Sequence, residues 1–294
     1  GGFYSAIDAD SEHIEGKFYR WTREEVSEKF SSDFLSRFGF DQAPQFEGFY
    51  IPHLMEPLSD RERLLFAQPI KEVREIRSQR EWPLIDRKIL TSWNGLMISA
   101  LAKAGARLDR RDFTTAAEKA AQAIWKTSFK EGKLFHSSFE GVSTKESFLE
   151  DYAYFTEGLL DLFESTQDST YLEQAKTLGE GLVSNFYDSE NGGFWSTLPN
   201  CEDVLVRSKE IYDGAIPAPF HRALSALIRI YGVGGDERFK ETVEKSICSI
   251  LGTALDAPGG FSSLALILDS YSKMGGGASK FMICDDGSCR EVKI

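Results

Sequence analysis

The feature that most constrains this chain is a repeat of about sixty residues, in which each copy predicts two successive helices. A leucine falls in the middle of the first predicted helix, and an aromatic residue twelve positions later opens the second. The pairs are Leu101 with Phe113, Leu159 with Tyr171 and Leu227 with Phe239. A unit of this kind cannot bury its apolar face alone, so the copies are expected to stack into one continuous core. The repeat predicts an all-α array of helix hairpins, either an open solenoid or a closed ring.

The predicted hairpins cover residues 92–128, 150–187 and 217–255, and a helix over 262–274 resembles the start of a fourth copy. We expect one partial α/α-toroid domain over residues 1–274, followed by a short segment, 275–294, that contains Cys284 and Cys289. Strands are expected only as short hairpins, near residues 17–21, 47–51, 133–137 and 281–284. Glycine-aromatic loops recur between the helix pairs, so each loop should return the chain to the same face of the array.

Composition excludes several partners and locations. The net charge of −12 and the absence of a long basic run argue against nucleic acid as a partner. The longest apolar stretches hold about ten residues, short of the roughly twenty needed to cross a bilayer, and no secretory leader is recognisable. Four cysteines do not form a disulfide framework in a chain of 294 residues. These features predict a cytoplasmic protein with no membrane contact.

Acidic residues precede the first helix of each copy, and a curved or closed array would bring them together at one end. The candidate catalytic carboxylates are Asp8, Asp10, Asp86, Asp151 and Asp213. The candidate substrate-binding residues are Lys88, Trp93, Asn94, Tyr152 and Tyr212. Each has a structural alternative: the acids can cap turns and helix N-termini, and the tryptophan can belong to the core as well as form a stacking platform for a sugar.

Four strings at consistent separations carry a resemblance to a known family: GGFYSAIDADSE, DRKILTSWNGLMISALA, FLEDYAYFTEGLLDLFEST and KEIYDGAIP. They resemble the YyaL-like thioredoxin-domain-containing proteins, the family of the spermatogenesis-associated thioredoxin-like protein. That resemblance implies a helical part similar to six-hairpin glycosidases and N-acylglucosamine 2-epimerases, which are α/α toroids, joined to a thioredoxin-like domain that is absent here. Cys284 and Cys289 resemble the terminal cysteine pair of the family.

The resemblance and the residues together suggest a carbohydrate-binding or carbohydrate-active toroid, hydrolase-like or isomerase-like, that takes a small-molecule or glycan ligand. Glycoside hydrolysis needs two carboxyl groups roughly 5 to 9.5 Å apart, whereas epimerisation favours paired bases, and the four histidines are scattered. The alternative is a non-catalytic scaffold that works with a thioredoxin-like domain, and a weaker hypothesis is a thiol role for Cys284 and Cys289. No cofactor or metal motif is present, so neither is predicted.

The first loop, Gly1-Gly2-Phe3, matches the end of a hairpin whose helices are missing from the sequence. An array without terminal caps exposes apolar surface. We therefore expect either a homodimer that buries the open edge or closure of that edge by residues 275–294.

Overall fold

The computed structural model describes residues 1–201, 204–274, 280–285 and 288–293. Internal contacts divide the chain into two compact units, one of Ala6–Arg87 and the other of Gly1–Ser5 together with Lys88–Ile294. The single domain expected over residues 1–274 stays a prediction, and each unit is described by itself.

The unit Ala6–Arg87 contains short strands around three helices. Its elements are β1 (Ala6–Ile7), β2 (Asp10–Ser11), β3 (Ile14–Glu15), α1 (Arg23–Ser27), α2 (Ser32–Arg37), α3 (Asp60–Ser78) and β4 (Ile85–Asp86). Strand β1 pairs antiparallel with β4, and β2 pairs antiparallel with β3. The core of this unit is largely aromatic and includes Trp21, Phe34, Phe40 and Phe66.

The helix starts of this unit follow the capping chemistry of the sequence. The spacing of Thr22 and Glu25 predicts a capping box at the start of a helix that continues to about Gly39. The Thr22 hydroxyl accepts the Glu25 N–H while the Glu25 carboxylate accepts the Thr22 N–H, so the capping box is confirmed. The helix predicted to continue to about Gly39 instead ends at Ser27. It ends early because the hydroxyl of Ser31 accepts the N–H of Phe34 and starts a second helix, α2.

The other unit contains the repeats. Its elements are β5 (Ile89–Leu90), α4 (Thr91–Leu108), α5 (Arg111–Ser128), β6 (Phe129–Lys130), β7 (Lys133–Phe139), β8 (Val142–Glu146), α6 (Leu149–Thr166), α7 (Ser169–Phe186), α8 (Pro219–Gly234), α9 (Glu237–Asp256), α10 (Ser262–Met274), β9 (Lys280–Asp285) and β10 (Ser288–Lys293). The three predicted hairpins are α4–α5, α6–α7 and α8–α9, and the predicted final helix is α10.

The repeat residues have equivalent places in these hairpins. The aromatic residues Phe113, Tyr171 and Phe239 are each the third residue of the second helix. The first helices pack on one another in the order α4, α6, α8 and α10, and each second helix packs on its own first helix. Helix α6 is central to the core, since every residue from Asp151 to Leu162 is buried. This two-layered array confirms the predicted all-α toroid class.

The strands of this unit lie in the loops between helices. Strand β7 pairs with β5, β6 and β8 to form a four-stranded sheet, and β9 pairs with β10. The strands predicted at 133–137 and 281–284 are therefore confirmed. The regions 17–21 and 47–51 form no strand and take part only in two isolated bridges, between Trp21 and Tyr50 and between Phe46 and Phe49. In the part of the chain that is described, no helix combines the length and apolar character that crossing a membrane requires.

Candidate functional site

Asp151 joins the N-terminal turns of two neighbouring helices. Its side chain accepts the backbone N–H of Phe148, which precedes α6, at 2.8 Å, and that of Ser92, in the first turn of α4, at 3.0 Å. The Nδ1 atom of His136, on β7, lies 3.0 and 3.1 Å from the two carboxylate oxygens. Complete burial raises the pKa of Asp151, while the hydrogen bond with His136 opposes that rise.

Glu150 precedes Asp151 in the first turn of α6 and is only partly buried. Its carboxylate accepts a hydrogen bond from the Ser92 hydroxyl at 3.1 Å. Burial raises the pKa of Glu150, and the neighbouring charge of Asp151 adds to the rise, because two close carboxylates disfavour ionisation of both. This carboxyl group therefore holds its proton to higher pH than an exposed glutamate.

Glu150 and Glu210 line the same cleft, which has a volume of about 330 Å³. The lining residues are Phe148, Leu149, Glu150, Ser196, Thr197, Val204, Ser208, Glu210 and Pro219. Glu210 is exposed, and its backbone N–H donates to the Ser196 hydroxyl at 3.2 Å. The hydroxyl oxygen of Thr197 is buried and has no hydrogen-bond partner within the described residues. The cleft thus combines two carboxyl groups with hydroxyl groups able to bind a polar ligand.

The ligand atoms of His136, Glu150 and Asp151 all lie within 4.8 Å of one another, a separation that a metal ion could bridge. The carboxylate of Asp151 already accepts two backbone N–H groups and contacts the imidazole of His136. We therefore interpret the group as a hydrogen-bonded cluster. The prediction of no metal is untested.

Asp213 has the same structural role at the other end of the helix series. Its carboxylate accepts the N–H of Ala218, before α8, at 2.8 Å and that of Ser263, in α10, at 2.7 Å. The His221 imidazole, fully buried, lies 3.3 Å from the same carboxylate. Partial burial favours a higher pKa for Asp213, but the two backbone donors outweigh it and lower that pKa to about 2.

The predicted aromatic and amide residues lie in different environments. Trp93, at the start of α4, is 48% exposed and is not a core residue. Asn94 is buried and holds the first loop, since it accepts the Phe3 N–H at 2.7 Å and donates to the Phe3 carbonyl at 3.0 Å. Tyr152 is buried, and its hydroxyl accepts the N–H of Leu134 at 3.1 Å.

Tyr152 also lines a cleft, and Tyr212 and Lys88 are the two remaining candidates. Tyr152 lines a second cleft of about 300 Å³ next to Lys133 and Asn185. Tyr212 is half exposed, with its ring centre 5.0 Å from that of Phe261. The Lys88 carbonyl accepts the N–H of Ser5. Their role in substrate binding stays a prediction.

Asp8, Asp10 and Asp86 belong to the unit Ala6–Arg87, and the cleft lining comes from the other unit alone. One oxygen of Asp8 accepts the N–H of Asp10 at 3.0 Å, as in an ordinary turn. Asp10 pairs with Glu15 through the backbone, and Asp86 pairs with Ala6. Their proposed catalytic role is untested.

Cys284 and Cys289 stand opposite each other in the register of β9 and β10. Their side chains lie outside what the structure describes, as do residues 275–279 of the predicted closing segment. The thiol hypothesis and the expected edge closure stay predictions.

Comparison with known proteins identifies relatives of the chain by sequence similarity. No protein-family model matches it. Spermatogenesis-associated protein 20 of Rattus norvegicus is 29% identical across 84% of this chain, and an uncharacterized protein of Caenorhabditis elegans is 30% identical across 82%. The chain is a homologue of spermatogenesis-associated protein 20. This result confirms the family resemblance in the sequence.

The homologous region is only part of these relatives. The chain spans 37% of the length of the rat protein and 39% of that of the nematode protein. Among solved structures, the GH76 alpha-mannanase of Bacteroides thetaiotaomicron matches with a TM-score of 0.52 and 13% identity, over 87% of this chain and 65% of that chain. At this identity the likeness concerns the fold, and it agrees with the α/α-toroid class.

In this homologue of spermatogenesis-associated protein 20, sequence reasoning missed Glu150, Glu210 and His136. The sequence does not distinguish Glu150 from its neighbour Asp151, because both lie in the first turn of a predicted helix. Lys209 and Glu210 are adjacent in the sequence and could pair with each other, but Lys209 pairs with Asp188 at 2.8 Å. No sequence pattern connects His136 with Asp151, because strand β7 brings them together.

Proposed function

We propose that this chain binds a carbohydrate or similar polyol in the cleft lined by Glu150 and Glu210 and acts on it by acid–base chemistry. The observation that carries the proposal is the presence of these two carboxyl groups in one cleft, with the pKa of Glu150 raised by burial. Glycoside hydrolysis uses one carboxyl group that donates a proton and a second that stays ionised. Glu150 is the proton donor in this proposal and Glu210 the carboxylate.

The rest of the cleft suits a hydroxyl-rich ligand. Ser196, Thr197 and Ser208 line it, and a bound hydroxyl group or water would satisfy the buried Thr197 oxygen. Phe148 and Pro219 add apolar surface for the carbon skeleton of a sugar. The fold is also one that a GH76 alpha-mannanase uses, which makes α-mannosides a reasonable first probe.

The test measures hydrolysis of 4-nitrophenyl glycosides, beginning with the α-mannoside, and binding of the matching disaccharides by calorimetry. Glu150→Gln and Glu210→Gln should each lower turnover by about 100-fold or more, because general acid–base catalysis contributes about 10² to 10⁴ in rate. Glu146→Gln is the matched control, since Glu146 lines the neighbouring cleft. Absence of both binding and turnover across the panel, or equal loss in the control, would contradict the proposal.

One observation favours the alternative of a non-catalytic scaffold that works with a thioredoxin-like domain. Asp151 and Asp213, two of the acids predicted to be catalytic, are both hydrogen-bonded to the N-terminal turns of helices. If glycans bind with unchanged affinity after Glu150→Gln and no turnover is found, this alternative is preferred.

A further inference from the structure

Lys209 lies beside Glu210 in the chain but its side chain is bound elsewhere. Its ammonium donates to the Asp188 carboxylate at 2.8 Å and to the Gly192 carbonyl at 2.5 Å. The same ammonium lies 4.7 Å from the ring centre of Trp195, within the range of a cation–π interaction. The Lys209 side chain is 21% exposed and that of Asp188 is 7% exposed, so this pair is shielded from solvent.

Further bonds tie the same segment to the loop that follows α7. The Ser196 N–H donates to the Ser208 carbonyl at 2.8 Å, and Arg207 Nε donates to the Thr197 carbonyl at 3.0 Å. The Glu210 N–H donates to the Ser196 hydroxyl. Residues 207–210 are therefore held by attachments at four consecutive residues, and Lys209 supplies the ion pair, with Asp188.

We propose that Lys209 is a positioning residue, which keeps the carboxylate of Glu210 in the cleft that Glu150 also lines, by anchoring its segment to Asp188 and Gly192. Positioning of this kind matters because a displacement of about 1 Å in a reacting group can cost about 100-fold in rate. The inference rests on the proposed function of the cleft. Lys209 is not among the residues that line the cleft, and in this role it acts through Glu210.

The decisive measurement is the titration of Glu150 by NMR in the whole chain, which needs no substrate. The groups that act on Glu150 electrostatically are Asp151, His136 and Glu210, and the charge of Glu210 raises the pKa of Glu150. Glu210→Gln should therefore lower that pKa. Lys209→Met should lower it as well, because the released Glu210 moves away, and should have no further effect in a Glu210→Gln background. Removal of a nearby positive charge alone would instead raise it.

Two variants make the test robust. Lys209→Met leaves the carboxylate of Asp188 without its ammonium, so Asp188→Asn with Lys209→Met removes both charges and should give the same lowering of the Glu150 pKa. Lys245→Met is the matched control, because Lys245 donates to the carbonyl of Ser189 in the same loop. This control variant should leave the pKa of Glu150 unchanged.

Turnover of the nitrophenyl glycoside separates the positioning role of Lys209 from the proposed function of the cleft. If Glu210→Gln reduces turnover about 100-fold and Lys209→Met does the same with no additional loss in the double variant, positioning is supported. An equal effect of Lys209→Met with and without Glu210, or a Glu150 titration identical to the wild type, would overturn the positioning role. If the Glu150 and Glu210 variants retain full activity, the proposed function fails. The NMR titration of Glu150 still tests whether Lys209 holds Glu210 in place.

Discussion

Gly158 of α6 lies directly against Gly95 of α4, since a β-carbon at Gly158 would stand 2.8 Å from the Gly95 carbonyl oxygen. A β-carbon at Gly95 would in turn stand 2.5 Å from the backbone of Tyr154. The two helix backbones are therefore in contact, with no side chain between them. This close approach places the first turns of α4 and α6 near enough for Asp151 to bond to both.

Gly95→Ala and Gly158→Ala should each lower the free energy of unfolding by about 1 to 3 kcal/mol, because the added methyl group meets backbone that cannot move aside. Chemical denaturation measures the effect. Gly234→Ala in α8 is the matched control, since its β-carbon would meet nothing within 4 Å. It should be neutral or stabilise the chain by up to about 1 kcal/mol. Equal stability of all three variants would contradict the close packing.

Asp213 should make stability sensitive to acid. Its pKa in the folded chain is about 2, below the ordinary value of 3.8. The group therefore contributes stability that is complete above the ordinary value and is lost as the pH falls from about 4 to about 2. The contribution is about 1 to 2 kcal/mol after allowance for partial exposure. Denaturation of Asp213→Asn across this range should show less loss on acidification, whereas Asp8→Asn, in an exposed turn, should follow the wild type.

The acid–base proposal predicts the pH dependence of turnover. Because burial raises the pKa of Glu150 above its ordinary value of 4.5, the protonated form persists to higher pH. Activity should fall as the pH rises through the raised pKa, because Glu150 then loses the proton that it donates. The measurement is kcat/KM against pH for the nitrophenyl glycoside. Glu150→Gln should remove this basic limb from the residual activity, and an unchanged profile would exclude Glu150 as the proton donor.

Trp93 should contribute more to glycan binding than to folding. It is 48% exposed and follows Ser92, whose hydroxyl bonds to Glu150. Trp93→Ala should weaken binding of a disaccharide by about 1 to 3 kcal/mol, as a lost stacking contact would, and should change the thermal midpoint little. Trp82→Ala, at a tryptophan that is 54% exposed in the other unit, is the control. A large loss of stability in Trp93→Ala would instead indicate a structural role.

The sequence alone determined the helix pairs of this chain. The spacing from Leu101 to Phe113, and its two repeats, identified three hairpins, and each aromatic residue lies at the third position of its helix. Such patterns succeed because helical periodicity and capping act between residues a few positions apart. The same local chemistry predicted the Thr22 capping box, while Ser31 shows how a second cap can divide one predicted helix into two.

Only the tertiary structure decided which side chains share the cleft. Glu150 and Asp151 are adjacent acids in one helical turn, and the packing of α4 on α6 buries Asp151 completely and leaves Glu150 at the cleft wall. Lys209 and Glu210 are likewise adjacent, yet Lys209 bonds to Asp188 while Glu210 lines the cleft. Neighbours in sequence are separated in this way because their partners lie on other elements, and the choice among partners depends on packing across the whole core.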